Sequence, residues 1–304
     1  MGSDTLSNGT EPSPIGEKPK GGFQFSKEDF LSDNFNPQHI NLIVQEGIIL
    51  GGGAAAILLQ VASPGVAQGV NQHSNFSYRV ADRLRTTMTF VYAMSYGTPE
   101  EKRKIVDLVG KIHDQVYGKL DEGKDKGKHY DANDPDLQMW VAATLYAIGI
   151  DIYERIYGKI DDEELHEKIF QEYSILACSL RVPPEMWPKT RAEFWQYWDE
   201  KIATLEITQH AREVGDDLLY LRNAPFYFRM FMPTVRVVTA ELLPERMRQE
   251  FGVNRHPRTY KIVEFGVKSV YRPLPLWVRS MPVRYYMKDL RKRLKKHQKV
   301  FEKA

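Results

Sequence analysis

Cysteine is almost absent from this 304-residue chain: Cys178 stands alone. That excludes an intramolecular disulfide and a thiolate metal cluster, and leaves packing as the expected role of the one thiol, in a reducing or redox-indifferent setting. A long apolar run is also missing. The longest charge-free stretch is Gly47 to Tyr78, and its apolar part, Gly47 to Leu59, is too short and too glycine-rich to span a bilayer. The first residues lack the pattern of a secretory leader, and Leu6 stands where a myristoylation motif needs Ser or Thr. The expectation is a cytoplasmic or peripheral membrane protein without a transmembrane helix. Nor does one sign of charge dominate: 42 basic residues face 40 acidic ones, for a formal charge of +2. Such a balance argues against nucleic acid as a partner of the whole chain.

The charge that is present is unevenly placed. Lys288 to Lys303 carries eight Lys or Arg against Asp289 and Glu302, a net of +6 that leaves −4 for everything before it. Residues 1–25 are rich in Gly, Ser, Pro and charge with almost nothing to bury, which predicts a disordered tail. From residue 26 to 304 no comparable linker interrupts the apolar pattern and no repeat is visible. With 42% hydrophobic and 12% aromatic residues in the whole chain, that stretch is read as one folded domain with a basic C-terminal helix.

Helix ends mark the elements of that domain. Thr98-Pro99-Glu100-Glu101 combines a capping Thr, a Pro at the first helical position and a Glu three residues after the cap, with Gly118 as the expected close. Between them Ile105, Val109, Ile112 and Val116 form a helical stripe. Asp134-Pro135 opens a helix through Leu137, Trp140, Val141, Leu145, Ile148 and Ile152 to a stop at Gly158, apolar enough to be central. Asp161 to Glu163 begins another, and Thr190 with Glu193 is a second capping box. Strand patterns are short and no Asn-Gly or Asp-Gly hairpin joins two of them, so the predicted class is all-α: a multi-helix bundle.

Several segments invite a chemical reading. Gly51-Gly52-Gly53 lacks the Gly-Lys-Ser/Thr of a phosphate loop, and such small residues are better suited to close approach of a backbone or a flat ligand. Glu163-x-x-His166 has the spacing of a di-iron helix, but a single copy in an acidic first turn reads as exposed surface. The basic C-terminal helix, with Leu290, Leu294 and Phe301, either lies on anionic lipid or packs its apolar edge on the domain with its lysines in water, and the second is the expectation. His113 projects from the edge of the Val106, Val109, Val116 stripe. One turn earlier, Gly110 costs about 1 kcal/mol relative to Ala in a helix interior, and room for a flat ligand beside the histidine would justify that cost.

Ordered blocks of sequence give a sharper reading. The run Ala56 to Val70 with His73-Ser74 after it, Arg83-Leu84-Arg85-Thr86-Thr87, Lys111-Ile112-His113-Asp114-Gln115-Val116-Tyr117-Gly118, Tyr130-Asp131-Ala132-Asn133-Asp134-Pro135, Trp140 to Leu145 and Val182-Pro183-Pro184 together resemble the catalytic domain of the MpaB and rubber-oxygenase (latex-clearing protein) family. They cover roughly residues 45 to 210, and Leu276-Trp277-Val278-Arg279 is similar to its less regular C-terminal part. The resemblance implies a helical fold around a haem b pocket, with His113 matching the block of the proximal iron ligand and Arg83 and Thr87 lining the distal side; the room at Gly110 would then lie beside the cofactor. A neutral imidazole suits that role, and its other ring nitrogen is expected to reach a preceding-turn carbonyl such as that of Val109.

Departures accompany the match. Thr86 stands where latex-clearing proteins carry a distal lysine, Ala142 where many members carry a histidine, and Ala54 near a missing arginine. The implied function is a haem-dependent oxygenase joining dioxygen to a hydrophobic, lipid-like or isoprenoid substrate. The alternative is a non-catalytic helical binding protein, or a haem carrier or sensor, with a degenerate site.

Overall fold

A computed structural model describes residues 25–73, 76–221 and 226–301. The tail expected over residues 1–25 lies outside the described residues except for Phe25, whose ring meets those of Phe30 and Phe35 at 5.2 Å. In chain order the helices are α1 (Lys27–Leu31), α2 (Asn41–Val44), α3 (Gly53–Val61), α4 (Pro64–His73), α5 (Phe76–Tyr96), α6 (Pro99–His113), α7 (Pro135–Tyr157), α8 (Glu163–Tyr173), α9 (Ile175–Cys178), α10 (Arg191–Thr204), α11 (Gln209–Tyr220), α12 (Phe226–Arg229), α13 (Met232–Leu242), α14 (Glu245–Glu250), α15 (Pro257–Tyr271), α16 (Leu276–Arg279) and α17 (Met281–Phe301). The fold is all-α, as the sequence predicts, apart from a two-stranded ribbon of β1 (Tyr117–Lys119) and β2 (His129–Asp131).

The capping residues act as their types require. Thr98 Oγ1 accepts from the Glu101 N–H and the Glu101 carboxylate accepts from the Thr98 N–H, satisfying two donors at the start of α6. The Asp134 carboxylate accepts from the Asp136 N–H at the start of α7, and α7 stops at Gly158, whose φ of 98° no side chain adopts comfortably. One boundary differs from expectation. Helix α6 ends at His113, and Val116 and Gly118, predicted as its last stripe residue and its stop, lie beyond it. Gly118 sits in β1 opposite Tyr130, where a Cβ would come 3.0 Å from the tyrosine ring. The glycine serves ribbon packing instead of a helix cap.

Helix α7 is the axis of the core. Trp140 Nε1 donates to the Leu59 carbonyl at 2.8 Å and Gln60 Nε2 to Thr144 Oγ1 at 3.1 Å, tying α3 across α7 through buried polar pairs. A side chain at Gly52 would collide with Ile148 and Ile152, so the glycine run allows close approach of this segment to α7. On the far side, the rings of Tyr146, Phe170, Trp187, Phe194 and Trp198 interlock at centroid distances of 4.8–6.3 Å. Each such side chain taken out of water contributes roughly 1.5–3 kcal/mol.

The C-terminal third is pinned to this core by charge. Glu46, only 3% exposed, accepts from Tyr157 Oη at 2.8 Å, Tyr271 Oη at 2.9 Å and Arg279 at 2.5 Å. A buried carboxylate survives when its lone pairs are occupied in this way. Arg85 and Asp289 clamp α17 to α5 through a forked ion pair at 2.7–3.1 Å. Val283, Met287 and Leu290 are buried along the same helix, so its apolar edge packs on the domain, as expected of the basic C-terminal helix.

Candidate functional site

His113 is the last residue of α6 and half-buried. Its ring lines a groove of about 270 Å³ together with Gly110, Asn133, Gln138 and Leu180, while Lys27, Asp107, Lys111, Asp114 and Arg181 supply a charged rim. A Cβ added at Gly110 would meet nothing within 4 Å, so packing does not demand a glycine there.

The ring is held by Gln138 and not by the Val109 carbonyl that its helical position suggested. Gln138 is 5% exposed on the inner side of α7. Its Nε2 donates to the Ala132 carbonyl at 2.9 Å and lies 3.2 Å from His113 Nδ1, and its Oε1 accepts from the Arg181 N–H at 2.9 Å. The backbone carbonyl and the backbone N–H together fix which end of the amide faces where. An N–H therefore points at His113 Nδ1, which accepts, and the neutral ring carries its proton on Nε2. Burial pushes the pKa of His113 below its ordinary value; the nearby Asp114 opposes this and Arg181 reinforces it, with smaller opposing effects of Asp131 and Arg83. The ring is neutral at physiological pH. Asp114 in turn is engaged by Arg181 at 3.0 Å and by Asn133 Nδ2 at 2.9 Å.

Arg83 is half-buried on α5, and burial lowers the pKa of its guanidinium. Its charge is felt at His113, which brings two of the predicted site residues into one electrostatic neighbourhood. Thr87 lies one turn further along α5, also half-buried. Thr86, in place of the lysine of latex-clearing proteins, is exposed, and its hydroxyl donates to the Asp82 carbonyl at 2.9 Å. Ala142 is 2% exposed within the core. A separate apolar hollow of about 60 Å³, which Arg83 does not line, opens among Ile49, Gly53, Ala56, Leu84, Met88 and Ile148.

The other sequence candidates resolve differently. His166, expected on an exposed surface with Glu163, is 4% exposed, and burial beside the Arg191 charge pushes its pKa to about 4. Its Nδ1 lies 3.9 Å from Glu154, whereas Glu163 points outward to Arg191 at 2.6 Å. The two therefore share a helix without sharing a ligand, and among the described residues no group of three or more His, Cys, Asp or Glu is placed to hold a metal ion. Cys178 is buried and its thiol is pushed up to about 12, which fits packing alone. Gln138 and Arg181, which organise the groove, were not singled out from sequence. The available signal was a lone amide inside the apolar run of α7.

The donor pattern bears directly on iron. A metal on His113 Nε2 needs a bare Nε2 lone pair and an Nδ1–H that donates to an acceptor. Gln138 offers a donor there, so the arrangement as it stands does not fit a haem iron on Nε2, although the ring's neutrality and the open side at Gly110 do.

Comparison with known proteins places the chain among relatives. An uncharacterized protein of Mycobacterium bovis and one of Mycobacterium tuberculosis are each 34% identical to it over 164 residues, a match that spans 53% of this chain and 62% of each relative's length. No solved structure matches. The model of the family described as "ER-bound oxygenase mpaB/B'/Rubber oxygenase, catalytic domain" matches residues 41–270, three-quarters of the chain, from α2 to nearly the end of α15, and the chain belongs to that family.

Proposed function

We propose that the chain is an oxygenase that uses dioxygen on a hydrophobic, lipid-like or isoprenoid substrate, with the His113 groove as its cofactor end. Membership of an oxygenase catalytic-domain family supports the reaction class. The observation that carries the site is a neutral, half-buried imidazole lining a groove, with free space at Gly110 one turn away.

In this reading His113 would hold haem b, with Gly110 leaving room beside it and Arg83 and Thr87 available to orient polar groups. When bound, the haem supplies the activation of dioxygen. The protein's own part is to keep His113 neutral and to exclude bulk water from the apolar side. Haem binding then requires the Gln138 amide to turn so that Oε1 receives Nδ1–H, at the expense of its bonds to Ala132 and Arg181. That same polarity favours the second reading, a helical binding protein that has lost the haem.

Hemin titration followed by the Soret band separates the two. Gln138→Glu supplies an acceptor to Nδ1–H without a turn and is expected to tighten hemin binding about tenfold, the scale of outer-shell effects on metal affinity. His113→Ala is expected to abolish the band while remaining helical. A chain that gives no Soret band in either the wild type or Gln138→Glu sinks the haem reading, and a band that survives His113→Ala moves the ligand elsewhere.

A further inference from the structure

We propose that the outward faces of α15, α16 and the start of α17 form a docking surface for an anionic lipid bilayer. This stands independently of the haem reading. The apolar residues here point away from the core. Ile262 and Phe265 on α15 are each 73% exposed and Val270 is 69% exposed; Trp277 on α16 is 69% exposed, and Met281 and Tyr285 at the start of α17 are 62% and 65% exposed. At helical spacing, Ile262 and Phe265 share one arc of α15 with Arg258 between them and Lys261 and Arg272 along its edge, while Val270 lies toward the other side, next to Val263. The half-buried Tyr260, Val263, Val267 and Tyr271 lie on the opposite arc. An ordinary surface helix has one apolar stripe, and α15 has two.

The segments are held on one side of the molecule. Tyr271 ends α15 and Arg279 ends α16, and both bind the same buried Glu46 carboxylate. Charge then chooses the partner. Residues 257–304 carry fourteen Lys or Arg against Glu264, Asp289 and Glu302, a net of +11, so everything before them sums to −9. Within this stretch Glu264 is neutralised by Lys268 and Arg279 is taken by Glu46, while Arg258, Lys261, Arg272 and Lys288 are exposed around the apolar residues. Aromatic and aliphatic side chains ringed by cations match an acyl boundary beneath anionic headgroups, and Trp and Tyr are the residues that favour that depth. No single helix among the described residues is long and apolar enough to cross a membrane, so the contact is parallel to the surface. The basic α17 contributes charge, and its own apolar edge is already buried against the domain.

Co-sedimentation of the full chain with phosphatidylcholine vesicles, with and without phosphatidylserine, tests this. Binding is expected on the mixed vesicles, falling at least about tenfold in the double variant Phe265→Ser, Trp277→Ser and weakening with salt. Both substituted residues are exposed, so circular dichroism should be unchanged. Quenching of fluorescence by brominated lipid should be reduced in Trp277→Phe. The proposal fails if the wild type stays in the supernatant with mixed vesicles, if the double variant sediments like the wild type, or if pure phosphatidylcholine binds equally well. A lipid-free dimer that the same substitutions dissociate would assign the face to a second copy of the chain and overturn it.

Discussion

Two histidines in this fold show how alike sites can be in electrostatics and unlike in use. Both His113 and His166 lie on helices, and burial drives the pKa of each downward. His166 is 4% exposed and walled in by the core, with Glu154 at 3.9 Å. His113 is half-open, faces a groove, and is oriented by an amide whose own bonds are fixed by two backbone groups. A depressed pKa reports desolvation in both places. Only the second has space beside the ring and a partner that sets its tautomer, and those two features are what a site requires beyond a shifted pKa.

The comparison breaks first on pH. The folded-state pKa of His166, at about 4, lies below the unfolded value near 6.5, so the folded state binds fewer protons across that interval. Stability from this residue is complete above about pH 6.5 and is lost as pH falls toward 4, amounting to about 3 kcal/mol. His166→Leu should flatten that part of the stability curve measured by urea denaturation between pH 7 and 4. His113→Asn should flatten it less, since its ring is more open to water. Equal flattening by the two variants would erase the distinction between a walled and an open ring.

A smaller effect tests the amide. Gln138→Leu keeps the volume of the side chain but leaves the Ala132 carbonyl and the Arg181 N–H without their buried partner, at an expected cost of about 1–3 kcal/mol. The His113 ring should also lose its fixed tautomer, visible as a change in its nitrogen chemical shifts on titration. A variant as stable as the wild type, with unchanged shifts, would mean that Gln138 does not set the ring.

Much of this architecture was legible in the chain because capping is local chemistry. Thr98 with Glu101, Asp134 and Gly158 announced ends of α6 and α7 that the backbone then adopts. The ribbon was not legible: three-residue strands have no periodicity to read, and Gly118 looks like a helix stop until Tyr130 is seen across from it. His166 escaped for a related reason: the acidic first turn is exposed, while the histidine one turn on falls in line with the buried Ile169, Phe170 and Tyr173. At the site, His113 and Arg83 came from ordered sequence blocks and Gly110 from the helix cost of a glycine one turn before the histidine, whereas Gln138 was not found. Its role depends on Ala132 and Arg181, six and 43 residues away in sequence, a convergence that only the fold creates. The outward apolar residues of α15 were not legible, because an exposed apolar residue and a buried one are the same letters in a sequence.

Gly110 gives the finest discrimination between packing and ligand. It sits inside α6, and a Cβ at its position would have nothing within 4 Å, so alanine there gains helix propensity and meets no clash. If the groove is only a surface feature, Gly110→Ala should stabilise the protein by about 1 kcal/mol, roughly 2 °C in Tm, with no other consequence. If the groove receives a flat cofactor edge, the same methyl group fills the space beside His113, and hemin uptake should fall even as Tm of the unliganded chain rises. A scanning calorimetry trace paired with a hemin titration on this single variant therefore separates the histidine that merely survives burial from the one that uses its opening.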